Sequence, residues 1–321
     1  MRSVDDVVAR PLSWRPDILP DFEAATLGAA GERGPTLVRP VRQRSEPRAV
    51  VLHVHGYNDY FFQEHLAHAF LDHGLAFYAL DLRRAGRSLR PDDVPHLMRS
   101  IAEPGQDLSL AASAIAELHP GIPLVVHAHS TGGLSASVWA ADSAPPAVVG
   151  LALDSPLFGR REHGIQRLSP VLLPILGTLR PMMIVSRRPS VYATHLHVDG
   201  GGRWDFDTEL KRPEGVPARA VWALTVLRAQ QRISRGRLHI PFPVLVARSQ
   251  ESGPESSDNP RLDEQDIVVD VDAVARLAPR LGAHVEELVI PGGVHELSLS
   301  STPARDIYLD GLVRWIDRVT A

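Results

Sequence analysis

Apolar positions in this chain fall into short, nearly continuous runs, separated by amphipathic stretches and by loops rich in Gly, Pro and charge. Residues 49–55 (AVVLHVH), 76–82, 124–126 and 147–153 each read as a strand buried on both faces, the pattern of a central parallel sheet. Residues 22–27 and 36–41 are weaker strand candidates joined by a GERG turn, and residues 1 to about 20 read as a surface arm. Helical spacing covers residues 62–73, about 106–118 and 134–141. After Asp154, Ser155 and Pro156 the alternation stops. Residues 157–237 are rich in Pro, Arg and Gly, with helical patches near Val171, near Val185 and over 218–234. It resumes with a strand at 243–247, a helix at 271–281, a strand at 285–290 and a last helix at 303–319. Such alternation predicts an α/β fold, a mostly parallel sheet with helices on both faces. The interruption reads as an insertion at the strand ends, where ligand sites of such sheets lie. The expected division is a core of residues 1–156 and 238–321 with a helical cap of residues 157–237 inserted.

One junction in this pattern carries chemistry. Residues 124–134 read LVVHAHSTGGL, so a buried strand turns sharply into a helix with Ser130 at the apex. That is the layout of a nucleophile elbow, whose tightness requires small residues two before and two after the serine. Here they are Ala128 and Gly132, where the usual pattern has two glycines. Ser130 is the candidate nucleophile.

A serine hydroxyl needs a general base, and the base needs an orienting carboxylate, in the chain order Ser, acid, His. His295 lies in a Gly-rich turn between the last strand and the last helix, where the base is expected. The acid belongs in the loop after the strand at 243–247, which carries seven carboxylates. Asp266 stands directly before Ile267, Val268 and Val269, an apolar run able to fix its position; Asp154, at the end of the strand after the elbow, is the second candidate. Two backbone N–H groups are required for the oxyanion. Thr131, at the start of the elbow helix, and Tyr57, after the His-Gly pair that ends the first central strand, are the candidates.

Composition removes several other classes. The formal net charge is -4 with both signs interspersed, so no nucleic-acid footprint is visible. Absence of cysteine excludes disulfides, thiolate metal sites and a cysteine nucleophile. His53, His55, His127 and His129 fall at adjacent strand ends, but they read as buried, hydrogen-bonded residues, and no metal or other cofactor is expected. His195 and His197 fall in the insertion, either facing a pocket or packing. Lys211 is the only lysine, read here as a compositional bias towards Arg. No signal-peptide pattern or spanning stretch is visible, which leaves a cytoplasmic location as the expectation.

Taken together, HVHGYNDYFFQEHLA, DLRRAGRS, HAHSTGG, DIVVD and GGVHE resemble the α/β-hydrolase superfamily in its monoglyceride-lipase-like branch, also called the serine aminopeptidase S33 or lysophospholipase-like group. In that branch the acid precedes a short aliphatic run, which favours Asp266. The resemblance implies an α/β-hydrolase fold and a Ser130, Asp266, His295 triad that needs no cofactor. It also implies a small-molecule carboxylic ester as substrate, with an apolar acyl chain as in a monoacylglycerol or lysolipid. The cap stretch with Leu172, Leu173, Ile175, Leu176, Met182 and Met183 would then either line an acyl tunnel, through Leu172, Leu176 and Met183, or simply pack on the core. Other readings stay open: an aminopeptidase or amidase using Asp205, Asp207 or Glu209 to hold an amine, a non-catalytic binding protein, or an acyltransferase.

Overall fold

The apolar runs do assemble into one sheet. The structure, a computed structural model, describes residues 12–28, 33–159 and 172–321. Its strands are β1 (Arg15–Pro16), β2 (Phe22–Thr26), β3 (Thr36–Pro40), β4 (Val50–Val54), β5 (Ala76–Asp81), β6 (Leu124–His129), β7 (Val148–Asp154), β8 (Ile184–Ser186), β9 (Ala218–Arg219), β10 (Val244–Ser249) and β11 (Val285–Ile290). Nine of them form a sheet in the order β1-β2-β3-β5-β4-β6-β7-β10-β11, antiparallel as far as the β3–β5 pair and parallel from β5 onward. This is the α/β-hydrolase fold. Every residue of β4, β5 and β6 is buried, which is why their sequences lack alternation.

Successive strand residues point to opposite faces, and each face has its own helical layer. Val50, Leu52 and Val54 pack towards α2 (Ala102–Leu118) and α3 (Ser130–Ser143), through Leu108, Ile115, Leu134 and Trp139. Val51 and Val125 pack towards α1 (Glu64–Asp72) and α8 (Ala304–Val319), through Phe70, Tyr308, Leu312 and Trp315. The helix α2 starts four residues before its predicted start, because Pro104 sits in the first turn, where its missing N–H costs nothing.

Between β7 and β10 the described chain forms α4 (Leu172–Leu179), the β8–β9 ribbon, α5 (Val191–Leu196) and α6 (Ala220–Ser234). The helical patch expected near Val185 is instead the short strand β8. Its β-branched pair Ile184 and Val185 favours a strand, and Pro189 shortly after blocks helix formation upstream. Val171 lies outside the described residues. No helix among those described is long and apolar enough to cross a membrane. After β10 come α7 (Val271–Leu277), then β11 and α8.

Several histidines are buried in this fold without a charged partner. The Nδ1 atoms of His53 and His127 share a 2.8 Å hydrogen bond, and His127 Nε2 meets the Tyr308 hydroxyl at 2.6 Å. Burial lowers the pKa of His127 to about 3 and that of His65 to about 4, from the usual 6.5. A depressed histidine contributes stability above the unfolded value, lost as pH falls through the folded value. Glu296, pushed up to about 7 mainly by burial, and Asp154, also raised mainly by burial, work the other way as the pH falls, but they are two groups against several. Lowering the pH from about 7.5 to about 4.5 is therefore expected to reduce Tm by roughly ten degrees. Thermal melts across that range check this; a flat profile would mean that the histidines are not held neutral.

Candidate active site

The backbone at Ser130 is forced into an uncommon conformation. Ser130 has a φ of 52°, in the left-handed region that costs a side-chain-bearing residue energy, and α3 begins there. Two glycines let neighbouring chain approach this turn. A Cβ at Gly132 would lie 2.3 Å from the His55 carbonyl oxygen, and one at Gly56 would lie 3.0 Å from the Ser130 Cβ. Ala128, the departure from the two-glycine pattern, is fully buried, its methyl part of the core.

Three separate segments meet at the serine. Its Oγ lies 3.0 Å from His295 Nε2, and His295 Nδ1 lies 2.9 Å from Asp266 Oδ2. All three side chains are buried. The other Asp266 oxygen, Oδ1, accepts the backbone N–H groups of Val268 (2.8 Å) and Val269 (2.9 Å). So the aliphatic run holds the carboxylate through its own backbone as well as by burial. Asp154 is equally buried but serves a different segment. Its carboxyl accepts the Leu297 N–H, two residues past His295, and burial together with the Glu296 charge pushes its pKa well above the usual carboxylate value.

Thr131 occupies the first turn of α3, where backbone N–H groups have no intrahelical acceptor. Tyr57 follows Gly56, and its ring packs against Trp222 with centroids 4.3 Å apart. Tyr57, Ser130, Thr131 and His295 line one cavity of about 390 Å³, walled also by Leu157, Leu173, Val216, Trp222, Ile267 and Val268.

The cap residues singled out from sequence do not reach this cavity, with Leu173 the exception. Leu172 and Met183 are 38% and 43% exposed, and Leu176 packs on the core. Residues of a helix lie about 100° apart, so α4 can present Leu173 inward only by turning Leu172 out. The acids considered for holding an amine are also elsewhere. Asp205 is exposed beside His197, and the Asp207 side chain accepts the Glu209 N–H. His195 pairs with Asp263 near the surface, and His197 Nε2 meets the Phe206 carbonyl.

The four strand-end histidines do not converge on one point. His53 bonds to His127, His55 donates to the Gly56 carbonyl and accepts from the Leu82 N–H, and His129 donates to the Asp154 carbonyl. A different set comes together: among the described residues, Asp59, His129 and Glu296 bring ligand-type atoms within 4.8 Å of one another. Lys211 already lies in it, its Nζ donating to Asp59 Oδ1 at 2.7 Å and to Glu296 Oε2 at 3.5 Å. In the sequence, Lys211 reads only as a compositional bias, and Asp59 and Glu296 carry no assigned role. Their signal was the pair of carboxylates flanking functional segments, Asp59 in the loop after Gly56 and Glu296 beside His295, which need a countercharge if buried.

The profile of the family described as serine aminopeptidase, S33, matches residues 45–253, more than half of the chain. The chain belongs to this family. The S33 match stops before Asp266 and His295, so two of the three residues gathered at Ser130 come from beyond it. The monoacylglycerol lipase of Mycolicibacterium smegmatis is 27% identical over 85% of this chain and 89% of its own length. The crystal structure of the Paleococcus ferrophilus monoacylglycerol lipase superposes with a TM-score of 0.64 at 19% identity, covering 87% of this chain and 98% of that one. A soluble variant of the Saccharomyces cerevisiae monoglyceride lipase, in complex with a substrate analog, gives 0.66 at 15% identity, covering 98% and 97%.

Proposed function

We propose that this S33-family protein is a serine hydrolase of carboxylic esters, acting through an acyl-enzyme. The observation that carries the reading is the hydrogen-bonded line from Ser130 through His295 to Asp266, opening onto a cavity whose lining mixes apolar side chains with polar and charged ones. In this reading Ser130 attacks the acyl carbonyl while His295 takes its proton and passes it to the departing alcohol. Asp266 fixes the imidazole tautomer that accepts at Nε2. The amides of Tyr57 and Thr131 hold the oxyanion, with the positive end of α3 behind Thr131. Water then releases the acyl group by the reverse sequence, and no cofactor enters the steps.

The substrate proposed is an ester with an apolar acyl chain, of the monoacylglycerol or lysolipid class. Support comes from the apolar part of that lining, with Leu157, Leu173, Val216, Trp222, Ile267 and Val268, and from relatives that are monoacylglycerol lipases. Residues 157–237 then act as a cap over the core of residues 1–156 and 238–321, with Leu173 in the acyl path instead of Leu172, Leu176 and Met183. Each methylene taken from water contributes about 0.8 kcal/mol, or roughly a fourfold gain in kcat/KM per carbon until the cavity is full. A series of p-nitrophenyl esters is expected to show that rise and a plateau. Leu173→Trp should move the plateau to shorter chains and leave the acetate ester nearly unchanged. A flat profile, with an aminoacyl anilide turned over faster than any ester, overturns the lipid-ester reading.

A further inference from the structure

The single lysine of the chain is buried. Lys211 lies in the segment between α5 and β9 and is 3% exposed, yet it lines the same cavity as Ser130 and His295. Its ammonium is held by Asp59 and Glu296, and the rings of Phe62, Tyr192 and Phe206 stand 5.0, 5.9 and 5.7 Å from Nζ. The remaining Glu296 oxygen accepts from Gln63. The remaining Asp59 oxygen, Oδ2, is buried and has no hydrogen-bond partner. Burial opposes the charged lysine, but the charges of Asp59 and Glu296 outweigh it and raise its pKa, so the ammonium persists.

Without the lysine, two carboxylates and the His129 imidazole would converge at the wall of the cavity. That arrangement fits a cation carrying several N–H donors, and the free amine of a substrate has the same chemistry as Nζ. With Lys211 present the position is taken, and a substrate ammonium would have to give up hydration without gaining the two carboxylates that Nζ already holds. A neutral ester meets no such penalty. Buried ion pairs are often no more stabilising than apolar substitutes, so stability alone is a poor reason for this one. Resting on the ester-hydrolase reading above, we propose that Lys211 is a specificity-determining residue, an internal ammonium that fills the Asp59–Glu296 site and closes the pocket to substrates bearing a free amine.

The test compares esters that differ only by a primary amine, on wild type and on Lys211→Met, which keeps side-chain length without charge. One pair varies the acyl side, p-nitrophenyl propionate against p-nitrophenyl alaninate. The other varies the alcohol side, propyl butyrate against 2-aminoethyl butyrate. In the variant, the preference for the neutral member is expected to fall by about tenfold or more in at least one pair. Lys211→Arg, which keeps the cation, should retain the wild-type preference. A fluorophosphonate probe separates the two claims: stoichiometric labelling of Lys211→Met at Ser130 with unchanged preference in both pairs overturns the role of Lys211, whereas failure of wild type to label overturns the hydrolase reading itself. If Lys211→Met does not fold, Lys211→Ala prepared in ethylammonium chloride takes its place. Its Tm should then rise with ethylammonium and not with ethanol, while wild type responds to neither; equal responses to both additives refute an ammonium site.

Discussion

Ser130→Ala is expected to lower ester turnover by about a thousandfold or more while leaving Tm within a few degrees. Both halves of that result follow from the turn. Alanine and serine face the same steric cost at a φ of 52°, so the substitution adds no backbone strain. The hydroxyl bonds to His295 Nε2, and losing that bond leaves an imidazole nitrogen that cavity water can satisfy. What disappears is the atom proposed to attack. A p-nitrophenyl ester assay and a thermal melt on the same preparation measure both quantities. Residual turnover above a few per cent of wild type would move the nucleophile elsewhere.

Asp266→Asn should lower kcat by roughly three to four powers of ten, because the amide can present an N–H to His295 Nδ1 and stabilise the wrong tautomer. Asp154→Asn tests the alternative. Asp154 is held towards its neutral form, and its carboxyl accepts the Leu297 N–H, which an amide oxygen can also accept. Its variant should keep kcat within about tenfold of wild type. Steady-state kinetics on the two variants decide the assignment, and the opposite ranking transfers the acid to the end of β7.

The sheet was legible because parallel strands covered on both faces must be apolar at nearly every position, as β4 and β6 are. Ser130 was legible because a strand-to-helix reversal tolerates only small neighbours. Asp266 stood out by the three aliphatic residues that follow it, two of which, Val268 and Val269, hold its carboxylate through their backbone N–H groups. The facing of α4 was not legible, and the reason is physical. Its leucines at 172, 173, 176 and 179, with Ile175, leave no polar side to mark the outside, so periodicity carries no direction. Lys211 was hidden for a different reason. Its partners lie 152 and 85 positions away along the chain, and no local pattern announces an ion pair closed only by the tertiary fold.

That burial has a practical side. With no cysteine and its one lysine inside, the chain offers maleimides no thiol and succinimidyl esters or glutaraldehyde no side-chain amine on the folded surface. A protease that cuts only after lysine likewise has a single peptide bond to find, and the folded protein hides the side chain it must recognise. Its rate of nicking, read as the appearance of two fragments, therefore reports how often the segment around Lys211 opens away from the rest of the molecule.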